Sequence, residues 1–166
     1  HIVLADVAPD ATILRDEKAD VLTVYDDHGG YGHPDHIQVH RVGHRAAEIA
    51  GTPRVFESTI NRDRIRGLIE AAKDAPPVVG GDGPPHDLPD DFGTPEADIT
   101  HGIDVTDFVD VKRRSMEAHR SQIGPEDFFL AMPDDMFAVS LGTEWYIESG
   151  NPRSDGEPLR TDLFTD

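Results

Sequence analysis

The chain contains no cysteine among its 166 residues. Disulfides, zinc ribbons and thiol nucleophiles are therefore excluded, and any metal site must use histidine and carboxylate side chains. Basic residues are also scarce. The chain has 15 Lys and Arg against 33 Asp and Glu, which gives a formal net charge of −18. Such a charge repels nucleic acid and anionic membranes, so we expect neither as a partner. A salt-rich habitat or a GC-rich genome would account equally well for this acidity.

A long hydrophobic run is missing as well. No stretch of apolar residues is long enough to cross a bilayer, so no membrane span is expected. The chain begins with the sequence H-I-V-L and no initiator methionine, and targeting signals therefore cannot be read from it. We expect an N-terminal portion to precede these residues. A length of 166 residues suits a single globular domain.

Apolar periodicity predicts alternating strands and helices. Strands are expected over 19–25, 54–60 and 99–105, and helices over 9–19, 35–50, 62–73 and 107–122. Asp35, Asn61 and Thr106 are the predicted N-caps, and Gly51 is expected to end the second helix. This alternation predicts an α/β fold that contains parallel strands.

Two segments lack such periodicity. Residues 74–98 hold six prolines and four glycines, which predicts a long irregular loop that is either a solvated excursion or a lid beside a substrate. Residues 149–166 are polar and are predicted to form a surface tail. The apolar clusters at 128–131 and 145–147 must pack somewhere in the domain.

Residues 25–36 read Y-D-D-H-G-G-Y-G-H-P-D-H and hold the densest group of proton-binding and metal-binding side chains in the chain. They lie between a predicted strand and a predicted helix, where open α/β sheets place their active sites. His36 is a candidate metal ligand, and His33, on a bend stiffened by the following proline, is a candidate acid or oxyanion partner. Asp35 could orient a neighbouring imidazole, and the Tyr31 hydroxyl could donate to a developing oxyanion.

Other polar residues have simpler interpretations. Asp26, Asp27 and His28 are each expected to be solvent-exposed loop residues. An isolated tyrosine near a strand end, such as Tyr31, more often packs than reacts. His119, on the last predicted helix, is either a pocket residue or a surface histidine.

Three histidines share one face of the predicted helix at 35–50, namely His36, His40 and His44. An H-x-x-x-H pair can hold a metal, but the zinc-protease version requires a glutamate where this chain has Ile37. That class of protein is therefore excluded. We expect His40 and His44 on the polar face or beside a metal ligand, with direct ligation as the lesser alternative.

The motif Y-D-D-H-G-G-Y-G-H-P-D-H-I-Q-V-H resembles the second signature of the PIG-L/LmbE family of zinc-dependent N-deacetylases. The sequence A-H-R-S-Q at 118–122 is similar to that family's C-terminal helix. The stretch G-T-P-E-A-D-I-T-H-G-I-D-V at 93–105 looks closest to the branch of N-acetylglucosaminyl-inositol deacetylases and mycothiol conjugate amidases. The resemblance covers residues 20–147 and implies a Rossmann-like three-layer sandwich with a mostly parallel sheet.

The resemblance implies roles for four residues. His36 would complete a His-Asp-His site for zinc, with iron as the alternative metal. His33 would act on the tetrahedral intermediate as an acid or an electrostatic stabiliser, Asp35 would orient His33, and Tyr31 would be a mobile tyrosine that polarises the substrate carbonyl. The implied reaction removes an acetyl group from the nitrogen of a small N-acetylglucosamine-type substrate, in the cytoplasm, with a metal-activated water.

One part of the family pattern is absent from residues 1–166. The family's A-H-P-D-D-E motif, which supplies two further zinc ligands and a general base, does not occur. We therefore expect the chain to be the C-terminal portion of a single LmbE-like domain that lacks the first βα units, with the missing N-terminal segment as its partner. The alternative is a non-catalytic carbohydrate-binding or regulatory relative that lacks the full metal site.

Overall fold

The part of the chain that the computed structural model describes comprises residues 7–72, 89, 92–121, 123, 124 and 127–164. Its strands are β1 Val21–Tyr25, β2 Arg54–Thr59, β3 His101–Asp104 and β4 Thr143–Glu148. Its α-helices are α1 Val7–Asp16, α2 Gly29–Gly32, α3 Pro34–Ala50, α4 Arg62–Ala72, α5 Val109–Ala118, α6 Phe128–Ala131 and α7 Asp134–Leu141. The predicted α/β class is confirmed. None of the helices in these ranges is long and apolar enough to cross a membrane.

The four strands form one mixed sheet in the order β1-β2-β4-β3. β1 and β2 are parallel, whereas β4 runs antiparallel to both β2 and β3. β1, β2 and β3 therefore point the same way, and β4 alone is reversed. The predicted mostly parallel sheet is wrong for the described residues, because the reversed β4 lies between β2 and β3 and makes two of the three strand pairs antiparallel.

The ends of α3 place the central motif on the sheet. Gly51 has φ 77° and donates its N–H to Ala47 O at 2.8 Å, which confirms the predicted left-handed cap. At the other end the predicted Asp35 cap is wrong. Pro34 already occupies the first turn, so the cap falls on His33, whose Nδ1 accepts the Asp35 backbone N–H at 3.2 Å.

The two faces of α3 meet the sheet and α1. A Cβ atom on Gly43 would lie 2.4 Å from Val24 Cγ1, so α3 lies directly on β1 at this glycine. On α1, apolar residues spaced by about one helical turn pack against α3, and the resulting core contains Val7, Ala11, Leu14, Val42 and Ala46. Burial of this small cluster fixes α3 between α1 and the sheet.

A buried carboxylate, Glu148, links the end of β4 to the chain that follows it. It is 6% exposed and accepts hydrogen bonds from Arg54 Nε at 2.7 Å, Asn151 Nδ2 at 2.8 Å and Arg160 Nη1 at 3.1 Å. Burial alone would raise the pKa of Glu148, but the hydrogen bonds from Arg54 and Asn151 and the Arg54 charge lower it overall.

Residues 149–164 contain no helix or strand, although they are not detached from the sheet. The Arg160 N–H donates to Thr100 O at 3.0 Å, and Arg160 O accepts from Gly102 N at 2.9 Å. Both bonds lie along the edge of β3 that does not pair with β4. Most of the predicted loop at 74–98 lies outside the described residues. Its described end includes a 3-10 turn at Glu96–Asp98.

The second half of the chain differs most from the predictions. The predicted helix at 107–122 is observed as a 3-10 turn, Thr106–Phe108, followed by the ten residues of α5. The predicted Thr106 cap is not formed; Asp104 Oδ1 instead accepts the Thr106 N–H at 2.9 Å. The apolar clusters at 128–131 and 145–147 belong to α6 and β4, and α7 was not predicted.

Candidate active site

The central motif lies at the carboxyl ends of β1 and β2, which are neighbours and parallel. Asp26 follows β1 and is 1% exposed. Its Oδ1 accepts the Gly30 N–H at 2.6 Å, and its Oδ2 accepts the Thr59 hydroxyl at 2.6 Å. The prediction that Asp26 is a solvent-exposed loop residue is therefore wrong, because both carboxylate oxygens attach the glycine-rich turn to the end of β2.

The turn at 29–32 is tight and adopts backbone angles that favour glycine. Gly30 has φ 73° and Gly32 has φ 84°, so the segment does not continue as a regular helix. Gly30 O accepts the Gly93 N–H at 2.9 Å, which ties the turn to the described end of the 74–98 segment. Between the two glycines, Tyr31 is 58% exposed.

The His36 ring is held in one orientation by a hydrogen bond and by stacked rings. Its Nδ1 is 3.2 Å from Gly29 O, which requires the proton on Nδ1 and leaves the Nε2 lone pair free. The ring stacks on Tyr25 with centroids 3.8 Å apart and planes inclined by 4°. It also stacks on His33 at 4.6 Å. A histidine fixed through a backbone carbonyl in this way is suited to ligate a metal through its other nitrogen.

His33 has the opposite tautomer. Because Nδ1 accepts the Asp35 N–H, the proton of the neutral ring must lie on Nε2. Tyr31 meets His33 edge-on at 6.0 Å and His36 at 5.3 Å. The structure thus brings together one imidazole with a free acceptor, one with a free donor and an exposed phenol.

The remaining residues of the motif have other contacts. Asp35 is exposed, and its described hydrogen bond to His33 comes from the backbone rather than the carboxylate. Asp27 is exposed, as predicted, and lies 2.9 Å from His28 Nδ1. This contact lowers the pKa of Asp27. His28 is only partly exposed because its Nε2 lies 3.4 Å from the buried carboxylate of Asp26.

Sequence reasoning missed three residues that build the site, namely Tyr25, Asp26 and Thr59. The position of Asp26 directly after a predicted strand was a usable signal, since side chains there face the carboxyl edge of the sheet. The contribution of Thr59 depends on a partner 33 residues away in the chain and carries no local signal.

Of the three metal ligands that the family resemblance implies, the described residues include one candidate, His36. Within the described ranges, the only group of three ligating side chains with converging donor atoms is His40, His44 and Glu57, and it does not contain His36.

Sequence comparison relates the chain to curated enzymes, although no protein-family model matches it. It is 32%, 34% and 35% identical to proteins named 1D-myo-inositol 2-acetamido-2-deoxy-alpha-D-glucopyranoside deacetylase from Nocardioides sp., Nocardiopsis dassonvillei and Saccharomonospora viridis. The alignments cover 92%, 96% and 92% of this chain but 56%, 62% and 55% of these proteins. The chain therefore spans little more than half the length of the curated relatives it matches. The resemblance inferred from the motif, including its branch, is confirmed.

Proposed function

Because this chain is a relative of the 1D-myo-inositol 2-acetamido-2-deoxy-alpha-D-glucopyranoside deacetylases, we propose that the complete protein is a metal-dependent hydrolase. It removes the acetyl group from the nitrogen of an N-acetylglucosamine-type sugar or conjugate. The observation that carries this proposal is the stacked pair His33 and His36, whose free ring nitrogens are a donor and an acceptor.

The proposal includes the architecture of the complete domain. Residues 1–166 form the C-terminal portion of one LmbE-like, Rossmann-like three-layer domain, in which residues 149–166 are a surface tail. The preceding segment of the same domain supplies the further strands, the other metal ligands and the general base. The parallel pair β1 and β2, with α3 packed on it, supports this arrangement.

The metal in this proposal is Zn²⁺, with Fe²⁺ as the alternative, and His36 would hold it through Nε2. A bound ion of this kind supplies a nucleophilic water at neutral pH and polarises the acetamide carbonyl. The Gly29 carbonyl keeps the His36 proton on Nδ1, so Nε2 remains a ligand. The Tyr25 ring beneath His36 prevents the imidazole from turning away.

His33 is the proposed proton donor. Its Nε2 carries the proton in the neutral ring and would donate to the substrate oxygen as negative charge develops there. Asp35 holds the His33 ring in this tautomer through its backbone N–H. The exposed hydroxyl of Tyr31, beside both histidines, would contact the same substrate oxygen.

The role of His33 can be separated from its role as a helix cap. His33→Asn keeps a good capping residue but removes the Nε2 proton. In the complete protein we expect this variant to retain its metal and its thermal stability while acetate release falls by about 10²- to 10⁴-fold. His33→Ala should lose similar activity and also about 1 kcal/mol of stability.

Acetate release and metal content, measured on the same samples, decide the outcome. Unchanged turnover in His33→Asn would remove His33 from the mechanism. A protein that binds the acetylated sugar but never releases acetate, with or without metal, would instead be a non-catalytic carbohydrate-binding relative.

A further inference from the structure

A second group of ligating side chains lies along α3, one helical turn beyond His36. His40 and His44 are four residues apart and share a helix face, with ring centroids 4.4 Å apart. Glu57 faces them from β2. One donor atom from each of the three side chains lies within 4.8 Å of the other two, and all three side chains are partly buried.

The fold brings these residues together through strand register and a close helix contact. Val24 and Glu57 are paired in the parallel register of β1 and β2, so both side chains point to the face that α3 covers. The absence of a Cβ on Gly43 lets α3 lie against Val24. The carboxylate of Glu57 therefore lies directly beneath the two imidazoles.

Neighbouring groups orient the ligand atoms of the cluster. His40 Nδ1 lies 2.9 Å from Tyr25 O, which fixes its proton there and leaves Nε2 free to ligate. His44 Nε2 is buried and lies 2.9 Å from Glu57 Oε1 in an ion-pair contact, so these two ligand atoms already face each other. The ligand atoms of His44 and Glu57 therefore point toward a common position.

The environment of Glu57 favours a cation. The side chains of His44 and Glu57 are 28% and 14% exposed, so an ion could reach them from solvent. A net charge of −18 also concentrates cations around the protein.

From this geometry we propose that His40, His44 and Glu57 form a second metal site for a divalent transition-metal ion such as Zn²⁺. Two imidazole nitrogens and one carboxylate oxygen are a donor set that zinc uses, and they leave a fourth position for water. A tetrahedral ion with bonds of about 2 Å separates its ligands by roughly 3.3 Å. Small side-chain rotations from the observed arrangement therefore suffice.

This site is distinct from the one at His36, and the two share a neighbour. The Tyr25 ring stacks on His36, and its backbone carbonyl accepts a hydrogen bond from His40 Nδ1. An ion bound by the cluster joins α3 to β2 and stabilises the position of Tyr25. The second ion therefore supports the orientation of His36 without touching substrate.

The test counts zinc ions bound by the complete protein after chelator treatment and dialysis against Zn²⁺. We expect two ions per chain in the wild type, one in His44→Asn or Glu57→Gln and one in His36→Asn. In the His36→Asn background, Zn²⁺ should raise the Tm, and the additional change His44→Asn should abolish that rise. If excess Zn²⁺ still fills the second site of Glu57→Gln, its Kd there should be weaker than in the wild type by at least about tenfold.

Glu48→Gln is the matched control. It removes one negative charge from the same region of α3, where Glu48 pairs with Arg45 and takes no part in the cluster. Zinc stoichiometry and Kd that are the same in Glu57→Gln, His44→Asn and Glu48→Gln as in the wild type would overturn the proposal. If the proposed deacetylase function failed instead, acetate release would be absent while zinc binding that depends on His44 would persist.

Discussion

Replacement of Gly43 with alanine tests the contact on which the site depends. The new Cβ would lie 2.4 Å from Val24 Cγ1, and Val24 is buried in the sheet beneath α3. Alanine is favoured over glycine inside a helix by about 1 kcal/mol. An overlap this deep should cost close to the upper end of about 1–3 kcal/mol for overpacking. We therefore expect a net loss of about 1–2 kcal/mol in the free energy of unfolding.

Gly67 provides the matched comparison. It lies in α4, and a Cβ there would meet no atom of the described residues within 4 Å. Gly67→Ala should therefore gain about 1 kcal/mol from helix propensity alone. Urea unfolding of the complete protein should show opposite shifts of the midpoint for the two variants, with the m-value unchanged.

A third variant tests the cause of the loss. Val24→Ala removes the methyl group that Gly43→Ala would strike, so the two substitutions should compensate in a double-mutant cycle. If Gly43→Ala were as stable as Gly67→Ala, or if Val24→Ala gave no compensation, the close approach of α3 to β1 would be refuted. The inferred positions of His40 and His44 over Glu57 would then be refuted as well.

Three further predictions concern the polar residues. Asp26→Asn should destabilise the protein by about 1–3 kcal/mol, because an amide cannot accept both the Gly30 N–H and the Thr59 hydroxyl; an effect no larger than that of exposed Asp27→Asn in urea unfolding would contradict this. The lowered pKa of Glu148 stabilises the fold fully above the ordinary carboxyl value of 4.5, and this contribution is lost as pH falls through the lower folded pKa. Glu148→Gln should therefore reduce stability at pH 7 and flatten its decline below pH 4.5, whereas an unchanged slope in acid unfolding would refute the assignment. Asp35→Asn keeps the backbone donor to His33, so it should retain more acetate release than His33→Asn; equal losses in the two variants would show that the carboxylate is essential.

The first half of the fold was predictable because its signals are local. The apolar spacing of α3 and the glycine at its end define the helix without any tertiary information. Asn61 likewise caps α4, since its Oδ1 accepts the Arg64 N–H at 2.9 Å. The cap at the other end of α3 was mispredicted because a histidine side chain performs it, which intrinsic preferences do not favour.

The features that were missed depend on contacts between distant segments. Five of the six residues of β4 are partly buried, so the strand lacks the alternation that identifies a half-exposed strand. From the sequence alone, Asp26 is interpreted as a surface residue. In the fold, the parallel pairing of β1 and β2 brings Thr59 beside it. The cluster of His40, His44 and Glu57 similarly follows from the register of those strands, because the two elements that form it are separate in sequence.

The central claim is that the complete protein uses a metal held in part by His36 to hydrolyse an acetamide on an amino sugar. The direct measurement is acetate release from 1D-myo-inositol 2-acetamido-2-deoxy-alpha-D-glucopyranoside by the chelated protein before and after saturating Zn²⁺ is restored. The account predicts no release from the metal-free protein, recovery with Zn²⁺ and no recovery in His36→Asn. Release that persists without metal, or full recovery in His36→Asn, would contradict it.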